Sequence, residues 1–512
     1  MSSPSPPVVA WRTLRTVGIP EPGNRYAMSF REMVAADEAG RREWLVLSSF
    51  MIDPTWLFSG YPELLRPGTF PRVAILCGDG VASKLDLPTT FEVHNMDVKK
   101  LNFTHPATGN RITMDYGCHH SKFALVAFSD RLRVAITTAN FIYTDIHEKT
   151  QGCWVQDFPL KKDNTEKNGA QTSSDFEDSL CDYVESLEAH AESLRRGRWG
   201  QQTLTNTVVE GPLSVALRRY DFAGAKASLV PVVPGYHLGR NKDKYGQGRV
   251  AKILGDRRRK FFNEVKGGNT KTKTSVIMQF SSMSSTNPRY VGQLSKTFFG
   301  PSAGRDAQVI KVVWPTIQDV RHSVGGYAAG ASLPANPENV RKARGQEKLA
   351  FYKWSTTDAR SPFVDARRHA SPHIKTVTRF LPDGAVDFSI LSSANLSSVA
   401  WGDLQKNGSQ LCCRNWELGV LVTPESLGVD RLLTTETIQQ RQIMGEKKSG
   451  LVPLPFPTAP AVPYDPQSQS DRPWDNEARE GPDNFGANGL REAHVRHYGR
   501  PDPHGIKAVV AK

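Results

Sequence analysis

No stretch of the 512-residue sequence carries about 18 apolar residues in a row, the length needed to cross a bilayer as a helix, so no transmembrane helix is expected. The N-terminus, MSSPSPPVVAWRTLR, lacks the charged-then-apolar layout of a secretory leader, which argues against export. Cysteine is scarce. The six residues Cys77, Cys118, Cys153, Cys181, Cys412 and Cys413 show no C-x-x-C spacing, so neither a zinc ribbon nor a disulfide framework is expected, and a reducing compartment fits. Acidic residues are also short: 52 Asp and Glu stand against 65 Lys and Arg, a formal net charge of +13. With a pI near 9.4, the surface should attract polyanions, either nucleic acid or acidic lipid headgroups. A dinucleotide fingerprint is missing as well, because no apolar strand leads into Gly246-Gln247-Gly248. The basic run Arg257 to Lys260 has the form of a nuclear localisation signal, but reads more simply as the solvated face of a helix.

What is present is one stretch written twice. Tyr116 to Gln151 places His120, Ser121 and Lys122 at the head of an apolar run and Asn140 at the tail of the next. Side chains alternate along a strand, so His120 and Lys122, at i and i+2, share one face. A turn at Ser129-Asp130-Arg131 and a Val/Ile/Thr-rich strand, Leu132 to Ala139, would fold back and bring Asn140 to the same end. The order recurs far downstream: His373 and Lys375, an apolar strand, the turn Pro382-Asp383-Gly384, another strand, then Asn395. A lone histidine at a strand head is usually structural, but two with the same internal order are not explained that way.

The rest of the chain repeats in step. Trp44 to Ile52 reads as a buried strand in which Val46 to Leu47 leads into SSF, and Val73 to Cys77 as another; Thr274 to Phe280 leads into SSMSS, and Val309 to Trp314 echoes VAILC. Asp182 to Arg195 has helical periodicity, Leu160 to Asp175 is polar and loop-like, and Trp416 to Thr423 is a further strand. The fold class expected is α/β: two pseudo-symmetric halves, each a mixed sheet flanked by helices, with the site at their interface. Residues 1–25 are expected to be loose, 26–223 to form the first half and 224–512 the second. The Pro-rich region after Leu451 and the segment after about residue 475 are expected to be loop-like and partly disordered.

The two H-x-K sets with a downstream Asn resemble the phospholipase D superfamily, in the variant where Asn replaces the usual Asp. Within it, GCHHSK, IHEKTQG, FSSMSS, GYAAGASLP, SPHIKT, SSANLSSVAWGDLQKNGSQL and WELGVLV resemble blocks of the tyrosyl-DNA phosphodiesterases, in that family's order, from about Phe50 to Trp474. The short N-terminal extension and the region after Trp474 depart from the pattern. The resemblance implies a DNA-repair hydrolase that removes tyrosyl peptides of topoisomerase I from DNA 3′ ends, and other 3′ blocks, through a phosphohistidine. His120 would be the nucleophile, supported by Glu417, and His373 the general acid and then base, supported by Gln151.

The chemistry stands on its own terms too. Attack on a phosphodiester needs a nucleophile, a proton donor and cations at the phosphoryl oxygens. Two histidines on opposite sides of one phosphate fill the first two roles. Lys122 and Lys375 would hold the non-bridging oxygens and Asn140 and Asn395 would donate further hydrogen bonds, so no metal or cofactor is expected. Gln151 against Glu417 is the difference that separates the two half-sites, since a carboxylate stabilises an imidazolium and a neutral amide does not.

Substrate contacts implied by the resemblance are Ser281 and Ser282 on DNA phosphates, Tyr116 stacking on a base, and Phe50 and Trp474 on the peptide side. His119 and His147 read as structural, and His494, His497 and His504 as solvated. The partner expected is DNA with a 3′-linked tyrosyl peptide, at a single- or double-stranded end; the chain is expected to be a nuclear monomer with no membrane contact. The rivals weighed are a lipid-cleaving or endonucleolytic phospholipase D relative, and a non-catalytic DNA-binding scaffold with a decayed site. The intact motif residues count against decay.

Overall fold

Apolar runs rich in Val, Ile and Leu form the strands at the core of each half. The structure, a computed structural model, describes residues 7–64, 70, 72–78, 91–96, 100–115, 117–162, 173–195, 211–264, 274–300, 308–438, 448–465, 467–468, 471–477, 480–490 and 492–493. In the first sheet the Gly152–Pro159, Arg131–Thr137, Phe123–Phe128, Arg42–Ser49, Arg72–Cys77 and Phe91–Asn95 strands lie side by side in that order. The first three joins are antiparallel and the last two parallel. In the second sheet Glu417–Val422, Val386–Ser392, Thr376–Phe380, Ser275–Gln279, Ile310–Trp314 and Leu349–Lys353 follow the same order with the same directions. The internal echo in the sequence is therefore a repeat of topology, strand for strand. The Ser228–Val232 strand extends the second sheet by pairing with Glu417–Val422.

The motif hairpins form as the alternation requires: Phe123 pairs with Ile136, and Thr376 with Leu391. Thr137 N–H then donates to Lys122 O and Ser392 N–H to Lys375 O, so each motif lysine lies beside the end of the returning strand that leads to its asparagine. One apolar core spans both halves, joining Ile136 and Trp154 of the first to Ile374, Leu391, Trp416 and Leu418 of the second. Burying each such aliphatic side chain is worth roughly 2 kcal/mol, so separating the halves is costly. The Asp175–Arg195 helix, longer than the expected Asp182–Arg195, packs under the first motif: Tyr183 Oη donates to Ser121 Oγ at 2.6 Å and Trp416 Nε1 to Ser186 Oγ at 2.9 Å.

Two features differ from expectation or refine it. Gly246 and Gly248 open the Gly246–Glu264 helix, where an added Cβ would lie 2.2 Å from Trp401 O and 2.0 Å from Lys242 O respectively, so these glycines serve close backbone packing. On the same helix Arg257 pairs with Asp387 and Glu425, and Arg259 with Asp256.

The larger difference is the N-terminus. Residues 1–6 lie outside the described residues, but 7–25 are not loose. Val8–Val9 pairs with Ser449–Val452 of the second sheet and Arg12–Leu14 with Gly152–Pro159 of the first, so this segment straps the halves together. Its anchor is Arg367, fully buried, whose guanidinium donates to Gly23 O, Leu14 O and the side chains of Thr13, Thr16 and Asn24 at 2.7–3.2 Å. Local composition alone gives no sign of a partner so far along the chain. The tail likewise docks: Asp483 accepts from the backbone N–H groups of Tyr327, Phe485 and Ala487.

Arg367→Ala should destabilise the protein by about 3 kcal/mol or more, because it leaves several buried acceptors without donors. Chemical unfolding would measure it. A loss under about 1 kcal/mol would show that the strap does not depend on this side chain.

Candidate active site

Each motif histidine is held by the other half. His120 N–H donates to Trp416 O at 2.9 Å and Trp416 N–H to Cys118 O at 3.0 Å, a short parallel bridge one residue before Glu417. In the second half-site His373 N–H donates to Thr150 O at 2.9 Å and Thr150 N–H to Ser371 O at 2.9 Å, one residue before Gln151. The side chains follow. His120 Nδ1 meets Glu417 Oε2 at 2.8 Å, and His373 Nδ1 meets the Gln151 amide, 2.8 Å from Nε2 and 3.2 Å from Oε1. The structure therefore brings together His120, Lys122 and Glu417, and His373, Lys375 and Gln151, in the crossed pairing the resemblance implies.

Supporting hydroxyls are also arranged in parallel. Thr138 Oγ1 donates to Gln151 Oε1 at 2.7 Å, and Ser393 Oγ to Glu417 Oε2 at 2.5 Å. Both stand two residues before their asparagine, in Thr-Thr-Ala-Asn and Ser-Ser-Ala-Asn. Asn140 Oδ1 accepts from Ser49 Oγ at 3.4 Å, and Asn395 Oδ1 from Ser281 Oγ at 3.3 Å and Ser281 N–H at 3.1 Å. The shared SSF and SSM tripeptides thus place a serine against each asparagine.

Charge is the main feature of the centre. Lys122 is fully buried and Lys375 is 1 % exposed, and each donates to the carbonyl of its own motif histidine. Burial pushes Lys122 down to about 8, against the pull of Glu417, Cys118 and Asp145. Burial, with Lys122 adding to it, pushes Lys375 well below the usual lysine range. Burial would raise Glu417, but the adjacent His120 and Lys122 and the Ser393 hydroxyl outweigh it and hold its carboxyl below its usual range. Burial lowers His120, with Glu417 opposing and Lys122 reinforcing, so the resting pair is a neutral imidazole on an ionised carboxylate. A carboxylate only accepts, which puts the ring proton on Nδ1 and leaves Nε2 as a free lone pair. His373 is held well below its usual range by burial, opposed by Asp145 and reinforced by Lys375.

Sequence reasoning missed Asp145. Its carboxylate, fully buried, lies 3.4 Å from His373 Nδ1, accepts from Asn140 Nδ2 at 2.8 Å and from Lys149 Nζ at 2.7 Å. An Asp and a Lys four apart just after the motif asparagine, the Asp in a short helix and the Lys two residues past its end, was the available signal. Asn140 is therefore partly committed to Asp145, whereas the more exposed Asn395 is held by Ser281 through its oxygen alone.

Several expected contacts are placed elsewhere. Trp474 is fully buried, with Nε1 on Leu333 O at 3.1 Å and its ring stacked on Tyr327, so it belongs to the second core and does not line a peptide surface. Ser281 is 1 % exposed and serves Asn395; Ser282 beside it is half-buried. Phe50 is half-buried at the site, its ring centroid 5.8 Å from that of His120 and 5.9 Å from Lys122 Nζ. Tyr116, His494, His497 and His504 lie outside the described residues. His119 is buried on Ser48 Oγ at 2.8 Å and is pushed down to about 3 by burial and Lys122, as a structural hydrogen-bonder would be. His147 packs on Trp56 and Tyr143. Among the described residues no group of three or more His, Cys, Asp or Glu converges where it could hold a metal, and no helix is long and apolar enough to cross a membrane.

A family model described as tyrosyl-DNA phosphodiesterase matches residues 13–465. Tyrosyl-DNA phosphodiesterase 1 of Arabidopsis thaliana is 30 % identical, the match covering 91 % of this chain and 73 % of that protein. A probable tyrosyl-DNA phosphodiesterase of Caenorhabditis elegans is 28 % identical over 74 % of this chain and 75 % of its own. The crystal structure of the yeast tyrosyl-DNA phosphodiesterase superposes with a TM-score of 0.55 at 16 % identity, over 89 % of this chain and 97 % of that one, a likeness of fold.

The buried lysines give a pH test. Lys122 carries its charge below about pH 8 and loses it above, so an oxyanion that needs the ammonium should bind more weakly as pH rises through that value. Competitive inhibition by inorganic phosphate should weaken on the order of tenfold per unit above about pH 8, and Lys122→Met should flatten the slope. A constant inhibition constant from pH 7 to pH 10 would rule out this role.

Proposed function

This chain belongs to the tyrosyl-DNA phosphodiesterase family, and from that premise we propose a two-step route by which it hydrolyses the bond between DNA and a tyrosyl residue in DNA repair. The observation that carries the route is the 2.8 Å contact between His120 Nδ1 and the Glu417 carboxylate. With the proton fixed on Nδ1, His120 Nε2 attacks the phosphorus, and as its ring becomes cationic the Glu417 charge stabilises it. The P–O bond to tyrosine breaks on the opposite side, and His373, as imidazolium, gives its proton to the departing phenolate. The anionic phosphodiester beside His373 favours the cation that burial opposes.

A phosphohistidine then links the DNA 3′ end to His120. Neutral His373 takes a proton from water, the new P–O bond forms, the N–P bond breaks, and a 3′-phosphate leaves. Lys122 and Lys375 neutralise the non-bridging oxygens throughout, and Asn395 and Asn140 add hydrogen bonds. Because these groups grip the phosphate and not the leaving group, other blocked 3′ ends are substrates too. The tyrosyl peptide is a topoisomerase I remnant, the DNA end single- or double-stranded, Ser282 and Phe50 border it, and the enzyme acts as a monomer in the nucleus.

With a labelled 3′-phosphotyrosyl oligonucleotide, His373→Ala should leave DNA covalently trapped on the protein, and His120→Ala should give no adduct. Cleavage should persist in excess EDTA, and phosphatidylcholine should not be turned over. Equal, adduct-free loss in both variants would refute the assignment of roles; a strict metal requirement would refute the two-lysine account.

A further inference from the structure

The two half-sites share a plan, but one buried carboxylate has no counterpart. Five residues after Asn140, in the short helix Tyr143–His147, stands Asp145; five residues after Asn395, in the short helix Ser398–Trp401, stands Ala400. Asp145 divides its oxygens. Oδ1 takes the Lys149 ammonium at 2.7 Å, while Oδ2 takes the Asn140 backbone N–H at 3.0 Å and its side-chain Nδ2 at 2.8 Å, and lies 3.4 Å from His373 Nδ1. Lys149 is itself buried, touching the Ser332 hydroxyl and, at 3.4 Å, that of Thr144. A buried ion pair adds little to stability over an apolar pair of the same volume, so its placement against two motif residues calls for another account.

We propose that Asp145 is a positioning residue for the second half-reaction, selecting the His373 ring form with the proton on Nδ1, while Lys149 balances its charge. The proposal rests on the reading of His373 as the base that activates water. A base needs its Nε2 lone pair free, hence a proton on Nδ1. Gln151 cannot enforce this alone, because an amide offers Nδ1 either an acceptor oxygen or a donor nitrogen, and both lie within reach. A carboxylate accepts only, so Asp145 removes the ambiguity. Lys149 gives the second function. Among the described residues the donors to Glu417 besides His120 are the neutral Ser393 and Asn415, and its charge favours an imidazolium there. Asp145 is already paired, so it orients His373 without locking it as a cation, and His373 must give up and regain a proton in each turnover.

The test uses the full chain with 15N-labelled histidine, His373→Ala serving to assign the His373 signals. Asp145→Asn should move neutral His373 toward the form protonated on Nε2, a change read from ring 15N shifts without any turnover. In single-turnover gels the same variant should slow decay of the DNA–protein adduct at least tenfold and its formation by less. Because Asp145→Asn strands a buried ammonium, Asp145→Asn with Lys149→Met is made alongside to restore folding. The proposal expects this double variant to melt like the parent and still show the shifted ring form and slow decay. A well-folded double variant with parental ring form and decay would overturn it and leave the pair structural. If no adduct forms even in His373→Ala, the covalent route fails, and the ring form alone then decides whether Asp145 sets the tautomer.

Discussion

The site depends on an exchange of backbone hydrogen bonds between the halves. His120 hangs on Trp416 O and His373 on Thr150 O, each at 2.9 Å, and each bridge sits one residue before the side chain that holds the ring. Neither half can therefore build a working histidine alone. An imidazole placed only by its own strand would keep its rotamer freedom; here a side chain of the other half meets Nδ1 of each ring. Rigidity across the interface is thus a requirement of the chemistry, and it is met by the apolar core that spans the two sheets, by the N-terminal strap paired to both, and by Arg367 beneath that strap.

Electrostatics explains why the exchange must be so well packed. Desolvation makes both buried lysines costly as ammonium ions, and the Lys122 charge adds to that cost at Lys375. Such a pair is unfavourable in an empty site and favourable around an anion. In the proposed route this becomes a preference for a phosphate, whose negative charge offsets the cost of holding both lysines as ammonium ions. Glu417 is the counterweight on the His120 side. Asp145, already paired with Lys149, is a weaker one on the other, so the field across the phosphate is uneven even though the backbone around it is nearly symmetric.

The repeat and the two H-x-K sets were legible in the sequence because local rules govern them: alternation set the face of His120 and Lys122, turn residues set the hairpins, and order set the match between halves. The crossed contacts of Gln151 and Glu417 were legible only by resemblance, since nothing near either residue says which half it will meet. What stayed hidden shares one cause. Arg367 anchors a strap more than three hundred residues away, Trp474 was expected on the peptide side but fills the second core under Tyr327, and Asp145 drew no expectation at all. Each is a burial decided by tertiary packing, which local composition marks weakly or not at all.

A symmetric scaffold would give two histidines of equal character, and such a pair cannot divide the labour of attack and proton transfer. The difference has to be introduced without disturbing the backbone exchange that holds both rings. Side chains one step removed from the rings meet that condition. Glu417 for Gln151, Asp145 for Ala400 and the different tethering of Asn140 and Asn395 change charge and donor count while leaving strands, bridges and serines in parallel places. In the proposed route one ring then sits against a fixed negative charge that suits a bond-forming nitrogen, and the other against neutralised partners that let its proton come and go. The functional asymmetry resides in the residues that touch the histidines, not in the histidines themselves.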